Sequence, residues 1–306
     1  MIDAYIWGKN TRESPEAPVP VVDVDHREAR LGGAANVALN LQSAGARATI
    51  LTVIGGMGRS EEYFRLMDES GLVDRGILVD DTRICTVKTR IISNDKHMMR
   101  VDEEQTDSIS SAKEEAVLGM LAKRIKEEQV DAIILQDYNK GVLTPGVIEG
   151  VISIALAHDI PVSVDPKKQN FLAFKDCSLF KPNLKELKEG MDIDIDPTDR
   201  NSLNRAIDRL VLRMPHKATL LTLSELGVYH HEGQESGVLP AFPRNIVDVS
   251  GAGDTVISIA TLALAAGASI EQIALLSNLA GGLVCEQVGV QAIDREALSQ
   301  EVMSIS

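Results

Sequence analysis

The chain has 306 residues, enough to bury a large core in one big domain or two small ones. A composition of 44% hydrophobic and 25% charged residues excludes disorder as the default state, and 3% aromatic leaves too few rings for a base-stacking platform. With 31 basic against 45 acidic residues the net charge is −14, which repels a polyphosphate backbone, so a small anionic substrate would need a local cluster of Lys and Arg.

In chain order, a Pro-punctuated strand is predicted over 17–24. Gly32-Gly33 then opens a helix-like run from Ala34 to Gly45, followed by a strand over 49–54. The segments 84–93 and 97–102 read as a hairpin turning at Asn94-Asp95. Between Cys85 and Ile92, small or polar residues alternate with longer ones, which suits a sheet with one exposed face. These pieces suggest a small β-lid, from about 12–25 and 84–103, inserted around an α/β element of the main sheet.

From Ser110 helices and strands alternate: helix 111–129, strand 131–136, helix 145–158, strand 161–165, strand 178–181, helix 183–190, helix 199–213 and strand 217–223. Short apolar strands between helices indicate a parallel sheet covered on both faces, so the core is α/β. No long-period repeat and no low-complexity linker interrupts the chain, and residues 1–306 are expected to form a single domain.

Cys85, Cys177 and Cys285 are odd in number and widely spaced, which indicates neither a disulfide framework nor a zinc site and fits a reducing cytoplasm. The histidines form no HExxH, and the neighbours His230 and His231 should face opposite sides of a strand. The N-terminus lacks a basic segment followed by an apolar one, and the apolar runs near 255–268 and 273–285 are broken by polar residues and glycines. A soluble protein is expected.

The most informative stretch is Val247-Asp248-Val249-Ser250-Gly251-Ala252-Gly253-Asp254-Thr255-Val256. Beyond it Ile259, Ala260, Ala263, Leu264 and Gly267 recur with a helical period, so a helix begins at about Gly251 and its first N–H groups have no intrahelical partner. Without bulky side chains at Gly251, Ala252 and Gly253, those donors can meet a phosphoryl group closely. Asp254 in the same turn could take a hydroxyl proton. A Ser-capped helix whose Asp merely complements the macrodipole is the plainer alternative.

Several predicted strands run into polar residues where open α/β sheets bind ligands: Asp137-Tyr138, Asp165-Pro166-Lys167-Lys168, Asn183, and Thr222 with Ser224. Asn183-Leu184-Lys185-Glu186 has the spacing of a capping box, which is compatible with ordering water and Mg²⁺ around a nucleotide phosphate. Gly32-Gly33 with Asn36 could set a polyhydroxylated ligand against the main chain. Walker A and GxGxxG patterns in the required context are absent.

Taken together these residues resemble the ribokinase-like (PfkB) family of sugar kinases over nearly the whole chain, through Asp248–Thr255 and through Gly32-Gly33-Ala34-Ala35-Asn36. Ser14-Pro15-Glu16-Ala17-Pro18-Val19-Pro20-Val21-Val22, Asp137-Tyr138-Asn139-Lys140-Gly141 and Asp165-Pro166-Lys167 look more specifically like the heptose-phosphate kinase domain of bacterial ADP-heptose synthesis. The resemblance implies a three-layer sandwich with a mostly parallel central sheet and a β-lid. It also implies phosphorylation of the anomeric hydroxyl of D-glycero-D-manno-heptose 7-phosphate, with ATP and Mg²⁺, for lipopolysaccharide precursors.

Residue by residue, the resemblance makes Asp254 the general base and gives Gly251, Ala252 and Gly253 the anion hole. Asn183, Leu184, Lys185 and Glu186 would organise Mg²⁺-ATP, with Thr222, Ser224, Gly227 and Asn278 on the nucleotide side. Asp3, Gly32, Gly33, Asn36 and Asp137 would hold sugar hydroxyls, while Arg100, Lys140, Lys167 and Lys168 are the cations available to a 7-phosphate. No metal ligand is expected beyond Mg²⁺ carried by ATP near Glu186. A homodimer is implied, with a separate nucleotidyltransferase acting downstream.

Three departures accompany the match. Ser224 and Leu226 stand where relatives usually have Gly and Lys or Gln, and Gly56-Met57 replaces an Asp-containing turn. Met1-Ile2-Asp3 falls inside the family's first motif, so the preceding apolar strand is expected to be missing. Two other readings stay open: a kinase of another sugar or nucleoside, and a catalytically dead sugar- or nucleotide-binding regulator.

Overall fold

The computed structural model describes residues 1–94 and 96–305, and Asp95 of the expected hairpin turn lies outside the described residues. Strands β1 (Ile2–Glu13) and β2 (Pro20–Leu31) form an antiparallel pair, broken in register near Trp7 and Asn10. Helix α1 (Ala34–Ser43), β3 (Thr52–Met57), α2 (Ser60–Glu69) and β4 (Ile77–Ile84) follow, then β5 (Val87–Ser93) and β6 (Lys96–Glu103). The lid is one four-stranded sheet in the order β2-β1-β5-β6, with β1 parallel to β5. It reaches from Ile2 to Leu31, a wider span than 12–25, because β1 and β2 pair along nearly their full lengths.

The chain continues through α3 (Ser111–Glu127), β7 (Ile133–Gln136), α4 (Pro145–Leu156), β8 (Val162–Asp165), β9 (Leu179–Phe180), α5 (Leu184–Met191), α6 (Arg200–Arg213) and β10 (Ala218–Thr222). Strands β11 (Val228–Glu232) and β12 (Glu235–Leu239) precede α7 (Ala252–Ala265), α8 (Ile270–Val284) and α9 (Arg295–Ile305). A six-stranded sheet runs β12-β11-β10-β9-β8-β7; β7 to β10 are parallel, and β11 and β12 add an antiparallel edge. Neighbouring residues of one strand serve opposite layers. Leu221 and Tyr229 join the cluster built with α3 to α6, whereas Leu220 and Val228 join Val256, Ala260 and Ile273 of α7 and α8. Burial on both faces makes these strands read as continuous apolar runs.

Strands β3 and β4 form a separate parallel pair, packed on α1 and α2 through Ala35, Ala38, Ile54, Tyr63 and Met67. Among the described residues no strand lies between β3 and β7, and a cleft of about 800 Å³ separates them. Strands β1, β4 and β12 and helices α2, α8 and α9 are elements that the sequence pattern does not set out, and of β11 it shows only the two histidines. The apolar face of α2 rests on Tyr63 and Met67 as its fully buried residues, and β11 carries the two histidines, His230 buried and His231 half-buried on opposite faces. The three cysteines are buried and unbridged, and no helix among the described residues is long and apolar enough to cross a membrane.

Candidate active site

The loop before α7 is shaped by Asp248, whose carboxylate accepts the N–H groups of Ser250 and Gly289, each at 2.9 Å. Gly251 then turns the chain at φ 84°, a left-handed geometry that favours glycine; a Cβ there would sit 3.1 Å from the Asn36 amide nitrogen. Helix α7 starts without a side-chain cap. The Ala252 N–H bends back toward the Val249 carbonyl at 3.3 Å and the Thr255 N–H closes the turn on the Gly251 carbonyl at 3.1 Å, which leaves the Gly253 and Asp254 N–H groups without intrahelical acceptors.

Asp254, in that first turn, is 6% exposed and receives three donors from two other elements. Asn36 Nδ2 on α1 donates at 2.8 Å, the Tyr138 hydroxyl after β7 at 2.6 Å, and Gln136 Nε2 at the end of β7 at 3.2 Å. Burial pushes the Asp254 carboxyl up to about 6; the Asn36 and Tyr138 bonds oppose that rise and the neighbouring Asp165 charge adds to it. Tyr138 is held well above its ordinary value, by burial first and then by Asp254, so its hydroxyl stays a donor.

Parallel strands bring further groups to the same corner through their carboxyl ends. At the end of β8 Asp165 pairs with Lys181, which follows β9, at 3.1 Å, both nearly fully buried. Gln136 Nε2 also donates to Asp165 at 2.9 Å. Around it, Lys167 pairs with Glu186, and burial works against its charge while Asp165 and Glu186 hold it above its ordinary value. A second polar link fixes α7 on α1: the Thr255 hydroxyl donates to Asn40 at 2.9 Å, and Ser258 reaches the Val37 carbonyl at 3.3 Å.

On the lid side, Asp3 of β1 pairs with Arg90 of β5 beneath Gly32, where any Cβ would run into the Asp3 carboxylate. Gly33, at φ 61°, lies against the Tyr138 ring and Met1. The Asp137 carboxylate accepts the Asn139 N–H at 2.7 Å and the Asn170 amide at 3.2 Å, and burial raises its pKa. Asn36 is placed on Asp254 itself.

On the opposite side, Asn183 and Glu186 make the expected capping box at the start of α5, and the Asn183 N–H donates to Glu186 at 2.9 Å. Thr222 bridges to Asn183, and Ser224 (φ 57°) with Gly227 (φ 95°) forms the tight turn after β10. Leu184 packs on the core, and Lys185 projects outward toward Glu189. Asn278 on α8 donates to the Pro240 carbonyl at 2.8 Å, tying down the loop that leads to Asp248.

Of the four cations expected for a substrate phosphate, three meet a carboxylate: Arg100 with Asp102, Lys140 with Glu104 and Lys167 with Glu186; Lys168 starts a short 3-10 turn, Lys168–Asn170. Arg100 differs in also lining a cavity of about 420 Å³ under the lid hairpin, with Arg90, His97, Asp248 and Ser250. Arg90, His97, Gln136 and Lys181 are site residues absent from the sequence expectation. Only Lys181 leaves a trace there, a lysine closing the apolar run Ser178-Leu179-Phe180 before Pro182.

A buried carboxylate with a pKa raised to about 6, beside unpaired N–H donors and the paired ammonium groups of Lys167 and Lys181, can take a proton from a hydroxyl while an anion is held at the helix start. The sequence model described as pfkB family carbohydrate kinase matches residues 4–297. A Geobacter metallireducens protein named "Bifunctional protein HldE" is 38% identical over 295 residues, covering 96% of this chain and 59% of the relative. The chain thus spans about three fifths of the length of such relatives. Among solved structures, Escherichia coli phosphofructokinase-2 in complex with fructose-6-phosphate superposes with a TM-score of 0.75 at 18% identity, covering 98% of this chain and 94% of that one. Arabidopsis thaliana ribokinase complexed with ribose and ATP gives 0.74 at 14%, covering 98% and 95%.

Proposed function

Because the chain belongs to the pfkB family of carbohydrate kinases, we propose that it transfers the γ-phosphoryl group of ATP to the anomeric hydroxyl of D-glycero-D-manno-heptose 7-phosphate, releasing ADP and the 1,7-bisphosphate. The observation that carries this reading is Asp254, a carboxylate with a pKa raised to about 6 at the open start of α7. Asp254 takes the hydroxyl proton as the sugar oxygen bonds to the γ-phosphorus. The bond from that phosphorus to the β-bridging oxygen breaks, and its electron pair leaves with ADP. Asn36, Tyr138 and Gln136 aim the carboxylate, and the first N–H groups of α7 receive the transferring phosphoryl oxygens.

Asn183, Thr222, Ser224 and Gly227 belong to the nucleotide side of this reading, Asp3, Gly32, Gly33 and Asp137 to the sugar side. A magnesium ion, when bound, supplies charge neutralisation on the phosphates. No group of three or more His, Cys, Asp or Glu among the described residues could hold a metal ion, and Glu186 already accepts from Lys167 and the Asn183 N–H. That donor set fits a hydrated cation carried on the phosphates near Glu186, since Mg²⁺ usually keeps several waters. In this reading a 7-phosphate meets the guanidinium donors of Arg90 and Arg100 in the lid cavity, in competition with the carboxylates of Asp3, Asp102 and Asp248. Action in the cytoplasm as a homodimer, ahead of a separate nucleotidyltransferase, belongs to the same proposal.

The test is ADP release, measured with Mg²⁺-ATP over a panel of heptose 7-phosphate, unphosphorylated heptose, fructose 6-phosphate, ribose and nucleosides. The expected result is a kcat/KM highest for heptose 7-phosphate. A preference for another acceptor overturns the substrate, and ADP release with none of them overturns the kinase reading.

A further inference from the structure

Strand alternation puts Gln136 between two acids. Ile133 and Leu135 of β7 pack into the layer of α3 to α6, so Gln136 points to the opposite face, toward α7. Its register partner on β8 is Asp165, and the first turn of α7 carries Asp254. One amide nitrogen serves both: Gln136 Nε2 donates to Asp165 Oδ2 at 2.9 Å and to Asp254 Oδ1 at 3.2 Å.

The amide can stand only this way round. Turned over, Oε1 would face two carboxylates with no hydrogen between them. In the observed orientation Oε1 is buried and meets no donor among the described residues. A buried acceptor without a donor is destabilising, so the side chain is held in place by its NH₂ end alone.

The donors to Asp254 are unequally divided. Oδ1 accepts from the Tyr138 hydroxyl at 2.6 Å and from Gln136, whereas Oδ2 accepts from Asn36 Nδ2 at 2.8 Å alone. Each carboxylate oxygen offers about two lone-pair positions, so Oδ1 is filled and Oδ2 keeps one open. The charged and titratable groups acting on Asp254 are Tyr138 after β7, Asp165 at the end of β8, Lys167 after it and Lys181 after β9; α1 offers the uncharged Asn36.

We propose that Gln136 is a positioning residue with two tasks: its NH₂ group separates Asp165 from Asp254, so that these acids share a donor instead of a proton, and it fills Oδ1, so that Oδ2 of Asp254 takes the hydroxyl proton. Without the bridge, two close acids in a buried site hold one proton between them, which leaves the base occupied at a pH where it is needed free. The assignment of Oδ2 rests on the kinase reading, whereas the bridge between the acids does not.

The experiment uses Gln136→Met, which keeps the length of the side chain and removes the donor, and Gln136→Glu, which keeps its shape and adds a third acid. The readouts are the pH dependence of kcat/KM for heptose 7-phosphate, the KM for ATP, Tm, and carbon-13 NMR titration of the Asp254 carboxyl, assigned against the spectrum of Asp254→Asn. In Gln136→Met the Asp254 carboxyl should titrate about one pH unit higher and the acid limb of kcat/KM should move with it, while the KM for ATP stays unchanged. Gln136→Glu should move both at least as far, and it carries the same test if the Met variant does not fold. A lowered Tm with the carboxyl titration unmoved would make Gln136 a packing residue and overturn the proposal. A high-pH plateau of kcat that rises in Gln136→Met would mean that vacating Oδ1 frees the working atom, which overturns the assignment to Oδ2. If the unsubstituted protein releases no ADP with any acceptor, the kinase reading and the Oδ2 assignment fall together. The carboxyl titration then decides the bridge alone, a rise upholding it and no rise overturning it.

Discussion

The six-stranded and the two-stranded sheets start from the same local chemistry, short apolar parallel strands under helices, and differ in how far they close. In the larger sheet Leu220 and Leu221 are buried on opposite faces and β7 to β10 pair in series. In the smaller one β3 has a single partner and opens onto the cleft. The candidate site straddles the two: Asp254, Asp165 and Lys181 stand on the closed side, and Asp3, Gly32 and Asn36 on elements packed around the open one. In the proposed reading, the groups assigned to the chemistry are thus held by the better-supported layer, and those assigned to the acceptor depend on the weaker one.

The largest effect expected from this contrast is on Asp254. Asp254→Asn should keep the fold and ATP binding while lowering kcat by about 10²–10⁴-fold, the range for a lost general base. Isothermal titration with a non-hydrolysable ATP analogue, run beside the turnover assay, separates the two quantities. Turnover near the wild-type rate would make Asp254 a structural residue and return the α7 start to a plain capped helix.

Next comes the buried pair behind it. Lys181→Met removes the partner of Asp165 and leaves an uncompensated interior charge, at a cost of roughly 3–5 kcal/mol in unfolding free energy. The same change removes a positive charge that lowers the Asp254 pKa, so the acid limb of kcat/KM, expected near pH 6 for the unsubstituted protein, should move to higher pH. The sign for stability follows from the same numbers. Asp254 titrates at about 6 folded and near its ordinary 3.8 unfolded, so the folded state holds the extra proton between those values and stability falls as pH rises through that window. In the variant the fall continues further toward neutrality, so its Tm deficit should shrink as pH is lowered from 8 to 5. A deficit that is independent of pH would show that Lys181 acts by packing alone.

How much of this was legible in the sequence follows the same division. In the larger sheet, continuous apolar runs such as Ile133-Ile134-Leu135 and Val162-Ser163-Val164 mark strands within a few residues of where they lie. The start of α7 is readable because glycines, Ser250 and Asp254 coincide with a change of period. Around the lid the signal thins: β1 carries Lys9, Asn10, Thr11 and Arg12 in an exposed half, and β4 carries Asp80, Asp81 and Thr82, so neither resembles an apolar strand. The donors to Asp254 illustrate a second limit. Asn36 sits in a recognisable glycine motif, but Gln136 ends a strand 118 positions from Asp254 and acquires its role through topology. Arg90 and His97 are hidden for the same reason, being ordinary hairpin residues until the lid brings them over Asp248.

The smallest expected effect distinguishes the two ends of the site. Arg100 and Lys167 are both cations paired with carboxylates, yet Arg100 lines the lid cavity with Arg90 and His97, whereas Lys167 pairs with the Glu186 of the α5 capping box. If the lid cavity receives the phosphate already on the sugar, Arg100→Gln removes one charge-assisted hydrogen bond, about 1.5–3 kcal/mol. At 1.36 kcal/mol per factor of ten this raises the KM for the sugar phosphate roughly 10- to 150-fold with little change in that for ATP. Arg100 is more than half exposed and already bonded to Asp102, so water and that carboxylate compete for it and the lower end of the range is expected. Lys167→Gln should reverse the pattern, raising the KM for ATP more than that for the sugar phosphate, because its carboxylate partner belongs to the nucleotide side. Steady-state kinetics with each substrate varied in turn decides between them. Equal shifts in both KM values for both variants would place the two cations in one field over the whole cleft, and an Arg100→Gln protein with unchanged kinetics would remove the lid cavity from substrate binding.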